Sequence, residues 1–172
     1  GKVALIGTEY YTTLAEAVAA AQAGDEIVLL ADVAEDVTVP AGVIFNGNGK
    51  QVGVITAAGE ITFKGHTKAT NFGVQYVGTT INIIEGACLE ITGTGRLVVG
   101  HGCTFNITGT ITDAKTADKA TLTPSLIMPG ASFTGAGVTF NVNNAYIKAP
   151  SSYCSSSSSA SGTFDFNIEN SI

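Results

Sequence analysis

Gly102-Cys103-Thr104-Phe105-Asn106-Ile107-Thr108 returns 35 residues later as Gly137-Val138-Thr139-Phe140-Asn141-Val142-Asn143. Thr139-Phe140-Asn141-Val142-Asn143-Asn144 is echoed 26 residues further on by Asp165-Phe166-Asn167-Ile168-Glu169-Asn170. Leu89-Glu90-Ile91-Thr92-Gly93 likewise resembles Phe105-Asn106-Ile107-Thr108-Gly109. Each copy sets a polar residue between two apolar ones. A strand with one buried face requires that pattern, because successive side chains point to opposite sides. The copies are unevenly spaced. A closed propeller needs even repeats, whereas a solenoid absorbs insertions between coils without losing its stack. The expected fold is therefore an all-β parallel β-helix, with aliphatic residues in columns inside and Asn or Thr in ladders outside. Asn106, Asn141 and Asn167 are expected corner or outward-ladder residues.

Working back toward the N-terminus, strand and turn alternate every eight to twelve residues or so. The strand candidates are 26–30, 36–40, 43–45, 51–55, 60–63, 72–77 and 80–84, with Gly47-Asn48-Gly49-Lys50 as a strong turn. Val3-Ala4-Leu5-Ile6 is a further short strand, followed by a turn at Gly7-Thr8-Glu9. Thr13 to Ala23 reads as the one convincing helix. Thr13 and Glu16 form a capping box, Leu14, Ala17, Val18 and Ala21 share a face, and Gly24 supplies the stop. So short a helix is marginal alone, and the open end of a stacked sheet is its expected dock. Two stretches interrupt the pattern, 112–123 (TDAKTADKATLT) and the serine-rich 151–162 (SSYCSSSSSASG). Both read as loops leaving the stack, since the strand pattern resumes at Phe164. One domain is expected over 1–172, with residues 1–36 as cap and first coil and 37–172 as further coils.

Composition agrees. The 172 residues are 45% apolar but only 13% charged, with 21 glycines and no Trp. That excludes a helical bundle and a disordered chain. The net charge is −6, and the eight basic residues are scattered and include a single arginine, so nucleic acid and anionic membrane surfaces are not expected partners. No apolar run is long enough to span a bilayer. Gly1 reads as a cleavage scar, so a targeting segment and further domains can lie outside this stretch. Cys88, Cys103 and Cys154 are too few and too far apart for a disulfide framework. One bridge with a free thiol, or three small apolar residues, both fit.

The opening 50 residues carry a resemblance. Ala4-Leu5-Ile6-Gly7, Tyr11-Thr12-Thr13-Leu14-Ala15-Glu16-Ala17-Val18, Gly24-Asp25-Glu26-Ile27-Val28-Leu29-Leu30-Ala31-Asp32-Val33 and Asp36-Val37-Thr38-Val39-Pro40 follow in order. This series resembles the N-terminal cap and first coil of pectin-lyase-like parallel β-helix domains from bacterial surface and secreted proteins, and from related phage tail proteins. The resemblance implies a right-handed coil with a short N-terminal capping helix, and an extracellular, cell-surface or virion setting. It implies fold better than function, because such domains include lyases, hydrolases, adhesins and phage spikes.

The enzymes of that fold need converging carboxylates, or calcium-binding acids with a basic residue. After residue 36 only Glu60, Glu85, Glu90, Asp113, Asp118, Asp165 and Glu169 remain, with no adjacent pair. Glu90 with Arg96 and His101 makes at most a small polar patch. Asp32, Glu35 and Asp36 lack the spacing of a calcium loop and read as a solvated face. No catalytic residue, metal site or cofactor is expected. Tyrosine rings can pack on sugar C–H groups, so Tyr146 and Tyr153, with Asn143 and Asn144 nearby, are the expected glycan contacts. The expected function is a non-catalytic structural or adhesive module that binds glycans or host-surface ligands. The alternatives are a trimeric phage tail-fibre segment and a fragment of a polysaccharide lyase or hydrolase.

Overall fold

A computed structural model describes residues 1–76, 78–93, 97–99, 104–113, 127–129, 138–143, 146–148 and 164–170. The described residues form an all-β parallel β-helix with one short helix. One sheet stacks β3 (Glu26–Leu29), β5 (Ile44–Asn46), β7 (Ile61–Lys64), β9 (Thr80–Ile83), β12 (Thr104–Ile107), β15 (Val138–Asn143) and β17 (Phe164–Glu169), each parallel to the last. The other contains β4 (Val37–Val39), β6 (Gln51–Ala57), β8 (His66–Val74), β10 (Cys88–Ile91), β11 (Leu97–Val99), β13 (Thr110–Asp113), β14 (Ile127–Pro129) and β16 (Tyr146–Lys148).

The repeats quoted above are rungs of the first sheet. Thr104, Phe105, Asn106 and Ile107 pair with Thr139, Phe140, Asn141 and Val142, and these pair in turn with Asp165, Phe166, Asn167 and Ile168. Leu89–Gly93, in contrast, does not stack on Phe105–Gly109. Leu89 belongs to the other sheet, and the rung beneath Phe105-Asn106-Ile107 is Ile81-Asn82-Ile83. The two pieces look alike because every face of the coil imposes the same alternation.

The core is a set of vertical columns. Ile27, Phe45, Phe63, Ile83 and Ile107 stack inward on one sheet, all fully buried. Phe45, Phe63, Phe72 and Phe105 form an edge-to-face chain with centroids 6.4, 5.4 and 6.4 Å apart, the arrangement that ring quadrupoles favour. β6 and β8 are long because each turns a corner. Inward side chains run Val52 then Ile55 in β6, and Ala69 then Phe72 in β8, a step of three where an unbroken strand steps by two. Backbones crowd at that corner. A Cβ on Gly53 would lie 2.6 Å from the Glu35 carbonyl oxygen, and one on Gly93 would run into the Thr70 carbonyl.

Two devices close the N-terminal end. β1 (Ala4–Ile6) and β2 (Glu9–Tyr11) form an antiparallel hairpin whose first strand pairs with β3, ending the sheet in a three-residue edge. Short edge strands give little template for unwanted pairing. The helix α1 (Leu14–Ala20) then covers the core, burying Leu14 and Ala17, with Val18 and Ala21 packed at its margin. The Thr13 hydroxyl accepts from the Glu16 N–H, and Glu16 Oε2 accepts from the Thr12 hydroxyl and from the Thr12 and Thr13 N–H groups. The helix stops at Ala20, three residues before the predicted end. Asp25 there accepts from the Gln22 N–H and Gly24 donates to the Gly42 carbonyl, drawing the chain into the first coil.

Two boundaries differ from expectation. Thr112 and Asp113, expected to open a loop, close β13 in register with Glu90 and Ile91. The rest of 112–123 and all of 151–162 lie outside the described residues. His66-Thr67-Lys68-Ala69-Thr70-Asn71, too polar to suggest a strand, forms the first two-thirds of β8. Its polar side chains face out, except for buried Thr67, whose hydroxyl accepts the Gly47 N–H at 3.0 Å.

Gly53→Ala should destabilise the fold by about 1–3 kcal/mol, because the extra methyl meets backbone that cannot move aside. Glu85→Ala, at an exposed position, should stay within about 0.5 kcal/mol of the parent. Urea midpoints decide this, and equal midpoints would refute the tight corner. Hydrogen bonds, led by the Thr12 hydroxyl, hold the Glu16 carboxyl below the usual glutamate range. A lowered folded pKa gives stability that is present above the unfolded value and lost as pH falls through the folded one. An acid titration of Glu16→Gln should therefore lack that increment, and curves that differ only above neutral pH would contradict it.

Candidate functional site

The outer surface of the first sheet is a polar ladder. Thr62, Asn82 and Asn106 stand in register there, and the backbone register continues through Asn141 and Asn167. Asn106 Nδ2 donates to Asn82 Oδ1 at 2.9 Å, and Asn82 Nδ2 donates to Glu60 Oε1 at 3.0 Å. One coil earlier, Asn46 Nδ2 donates to Glu26 Oε1 at 3.2 Å, and Lys64 Nζ lies 3.3 Å from the same oxygen. Described amides in the ladder thus spend donors on the rung below, which fits their expected structural place.

Of the expected glycan contacts, Asn143 ends β15 in register with Glu169, and Tyr146 opens β16 in register with Thr110. They stand in different sheets. Tyr153 and Asn144 lie outside the described residues.

The acidic run Asp32, Glu35 and Asp36 has a role that the sequence did not suggest. Asp32 Oδ1 accepts the Gln51 N–H at 2.8 Å, Asp36 Oδ1 the Val54 N–H at 2.8 Å, and Glu35 Oε1 the Leu14 N–H at 3.0 Å. The three carboxylates fasten the corner and the capping helix, so they are not simply a solvated face. Among the described residues no three His, Cys, Asp or Glu side chains are grouped to hold a metal.

Arg96 and His101, the expected companions of Glu90, lie outside the described residues. Glu90 instead faces His66 of the preceding coil, with Oε1 and Nε2 3.7 Å apart. His66 pairs with Cys88 and Lys68 with Glu90, so a histidine, a thiol, an amine and a carboxylate share one outward face. His66 Nε2 is covered and makes no hydrogen bond. Burial, reinforced by the Glu90 charge, pushes the Cys88 thiol up. A thiol needs the opposite shift to act as a nucleophile near neutral pH. The signal was present as His66-x-Lys68 and Cys88-x-Glu90 one coil apart, but it becomes readable only once the coil length is known.

A groove of about 640 Å³ opens beside the N-terminal hairpin. Leu5 and Val28, paired across β1 and β3, lie along it, and Glu9, Asp25 and Glu26 stand around it. Gly7 and Gly24, both at positive φ with open space where a Cβ would sit, leave it unfilled. Burial and the charges of Glu9 and Asp25 raise the neighbouring Tyr11 hydroxyl. The groove was not legible beforehand, because its residues meet only through the antiparallel hairpin.

Cys88 should alkylate more slowly at pH 7 than an unstructured thiol, and Glu90→Gln should speed it by removing the charge that disfavours thiolate. Peptide mapping after iodoacetamide treatment follows this cysteine separately. A rate equal to the denatured protein's would show the thiol to be unperturbed. No family model, curated protein or solved structure matches the chain.

Proposed function

We propose that this chain is a non-catalytic display module, a stiff β-helical segment of a bacterial surface or secreted protein of the pectin-lyase-like kind, carrying loops toward glycan or host ligands. One observation carries the reading. From Ile27 the backbone register passes through Phe45, Phe63, Ile83, Ile107 and Val142 to Ile168, in steps of 18, 18, 20, 24, 35 and 26 residues. The rungs keep register although the chain between them nearly doubles in length. A scaffold whose order survives such insertion suits the presentation of variable segments. The Asp32, Glu35 and Asp36 carboxylates are engaged by backbone N–H groups, which supports the non-catalytic part.

Incubated with neutral and acidic polysaccharides, the purified protein is expected to release neither reducing ends nor unsaturated sugars. Cleavage that Glu90→Gln abolishes would replace this reading with an enzymatic one. A glycan array, run with a determination of oligomer mass, is expected to return a specific hit. Silence from a stable trimer would move the assignment to a fibre segment.

A further inference from the structure

Three outward side chains of the first sheet converge on one oxygen. Asn46 and Lys64 hold the same register position on consecutive parallel strands, β5 and β7, and Glu26 opens β3 one rung below β5. Asn46 Nδ2 donates to Glu26 Oε1 at 3.2 Å, and Lys64 Nζ lies 3.3 Å from that same oxygen. Lys64 starts two rungs above Glu26, so its side chain spans the Asn46 rung to arrive there. An amine and a carboxamide are thereby neighbours around one carboxylate. The carboxamide is also held from its other end, where Asn46 Oδ1 accepts the Asn48 N–H at 2.9 Å. Gly65, at positive φ, leaves that oxygen its space, since a Cβ there would collide with it. The usual attacker of an Asn-Gly carboxamide is the backbone nitrogen that follows it. Here that nitrogen is engaged, because the buried Gly47 N–H donates to the Thr67 hydroxyl at 3.0 Å. The nucleophile left beside Asn46 is the Lys64 amine.

We propose that Asn46 and Lys64 join in an intramolecular isopeptide bond that the chain forms by itself, with Glu26 carrying the protons. The ammonium proton of Lys64 passes to Glu26, and Nζ attacks Asn46 Cγ. The charge that develops on Oδ1 meets the Asn48 N–H, a donor already aimed at it. Glu26 then gives its proton to Nδ2 and takes the second proton from Nζ. The Nζ–Cγ bond stays, the Cγ–Nδ2 bond breaks, and ammonia departs with the proton left on Glu26. No electron changes hands and no co-reactant is consumed. A carboxylate within reach of both nitrogens can serve both transfers, and the fixed register of the strands supplies the orientation. Lys64 is 53% exposed, so water competes for its amine and the reaction is slow. The product ties β5 to β7 near the start of the stack. It adds a covalent rung to the rod and does not depend on what the module binds.

Intact-mass spectrometry of the purified chain tests this, before and after prolonged incubation at about pH 9, where more of a lysine's amine is free. A fraction of the protein, growing with time, should be lighter by one ammonia. Trypsin should then fail to cut after Lys64 in that fraction, and should release residues 3–50 joined to residues 51–68. Glu26→Gln should slow the conversion about a hundredfold or more, as loss of a proton-transferring group does. Lys64→Arg should abolish it, whereas Lys68→Arg, on another sheet, should convert like the parent. The joined peptide from the parent decides the matter even if a variant misfolds. Three results would overturn the proposal: a parent whose mass never changes, ammonia loss without the joined peptide (a succinimide at either Asn-Gly pair), or equal conversion in folded Glu26→Gln.

Discussion

The vertical fit of one coil on the next is the constraint from which the rest follows. Parallel strands sit ~4.8 Å apart, and at the corners there is less tolerance still. At Gly53 and Gly93 the backbone of one coil leaves no space for a methyl group on its neighbour. Once that spacing is set, any residue that points inward must match the residue one coil away in bulk. The Phe rings meet that demand by tilting edge-to-face, Phe45 on Phe63 and both Phe63 and Phe105 on Phe72. The outer amides meet it by donating down the ladder.

A stack of this kind has ends, and the N-terminal one shows how charge is used to finish it. Asp32, Glu35 and Asp36 lie within five residues of one another, yet their carboxylates reach two separate segments, β6 and the start of α1. A carboxylate that accepts a backbone N–H does the work of a missing neighbour strand, and Glu35 also favours the start of α1 through the helix dipole. The acidity of the first 36 residues is therefore mostly architectural.

Some of this was legible because the relevant residues repeat in the chain. The Thr104–Ile107 rung and its later copies share the same alternation of apolar and polar residues around a central Asn, and the Thr13–Glu16 box is local. Other features were hidden for physical reasons. The β8 segment from His66 to Asn71 looks like a loop because its outward positions are polar and its one inward threonine, Thr67, is satisfied by Gly47 from another coil. Glu90 was placed with its sequence neighbours, whereas its partner His66 is one coil away. The groove depends on β2 pairing back on β1; the turn at Gly7 was legible, but the three-residue strand Glu9–Tyr11 was too short for any alternation to show.

The uneven spacing of the rungs also has an entropic consequence. Closing a loop costs entropy that rises with the logarithm of its length, about 0.6 kcal/mol for each doubling. Passing from the 18-residue coils near Phe45 to the 35-residue interval between Ile107 and Val142 is nearly one doubling. The difference is small in equilibrium terms but systematic in direction. On loop-closure entropy alone the compact N-terminal coils cost least to close and the interval between Ile107 and Val142 costs most. A stack of rungs at even height therefore carries a graded entropic cost of ordering along the chain.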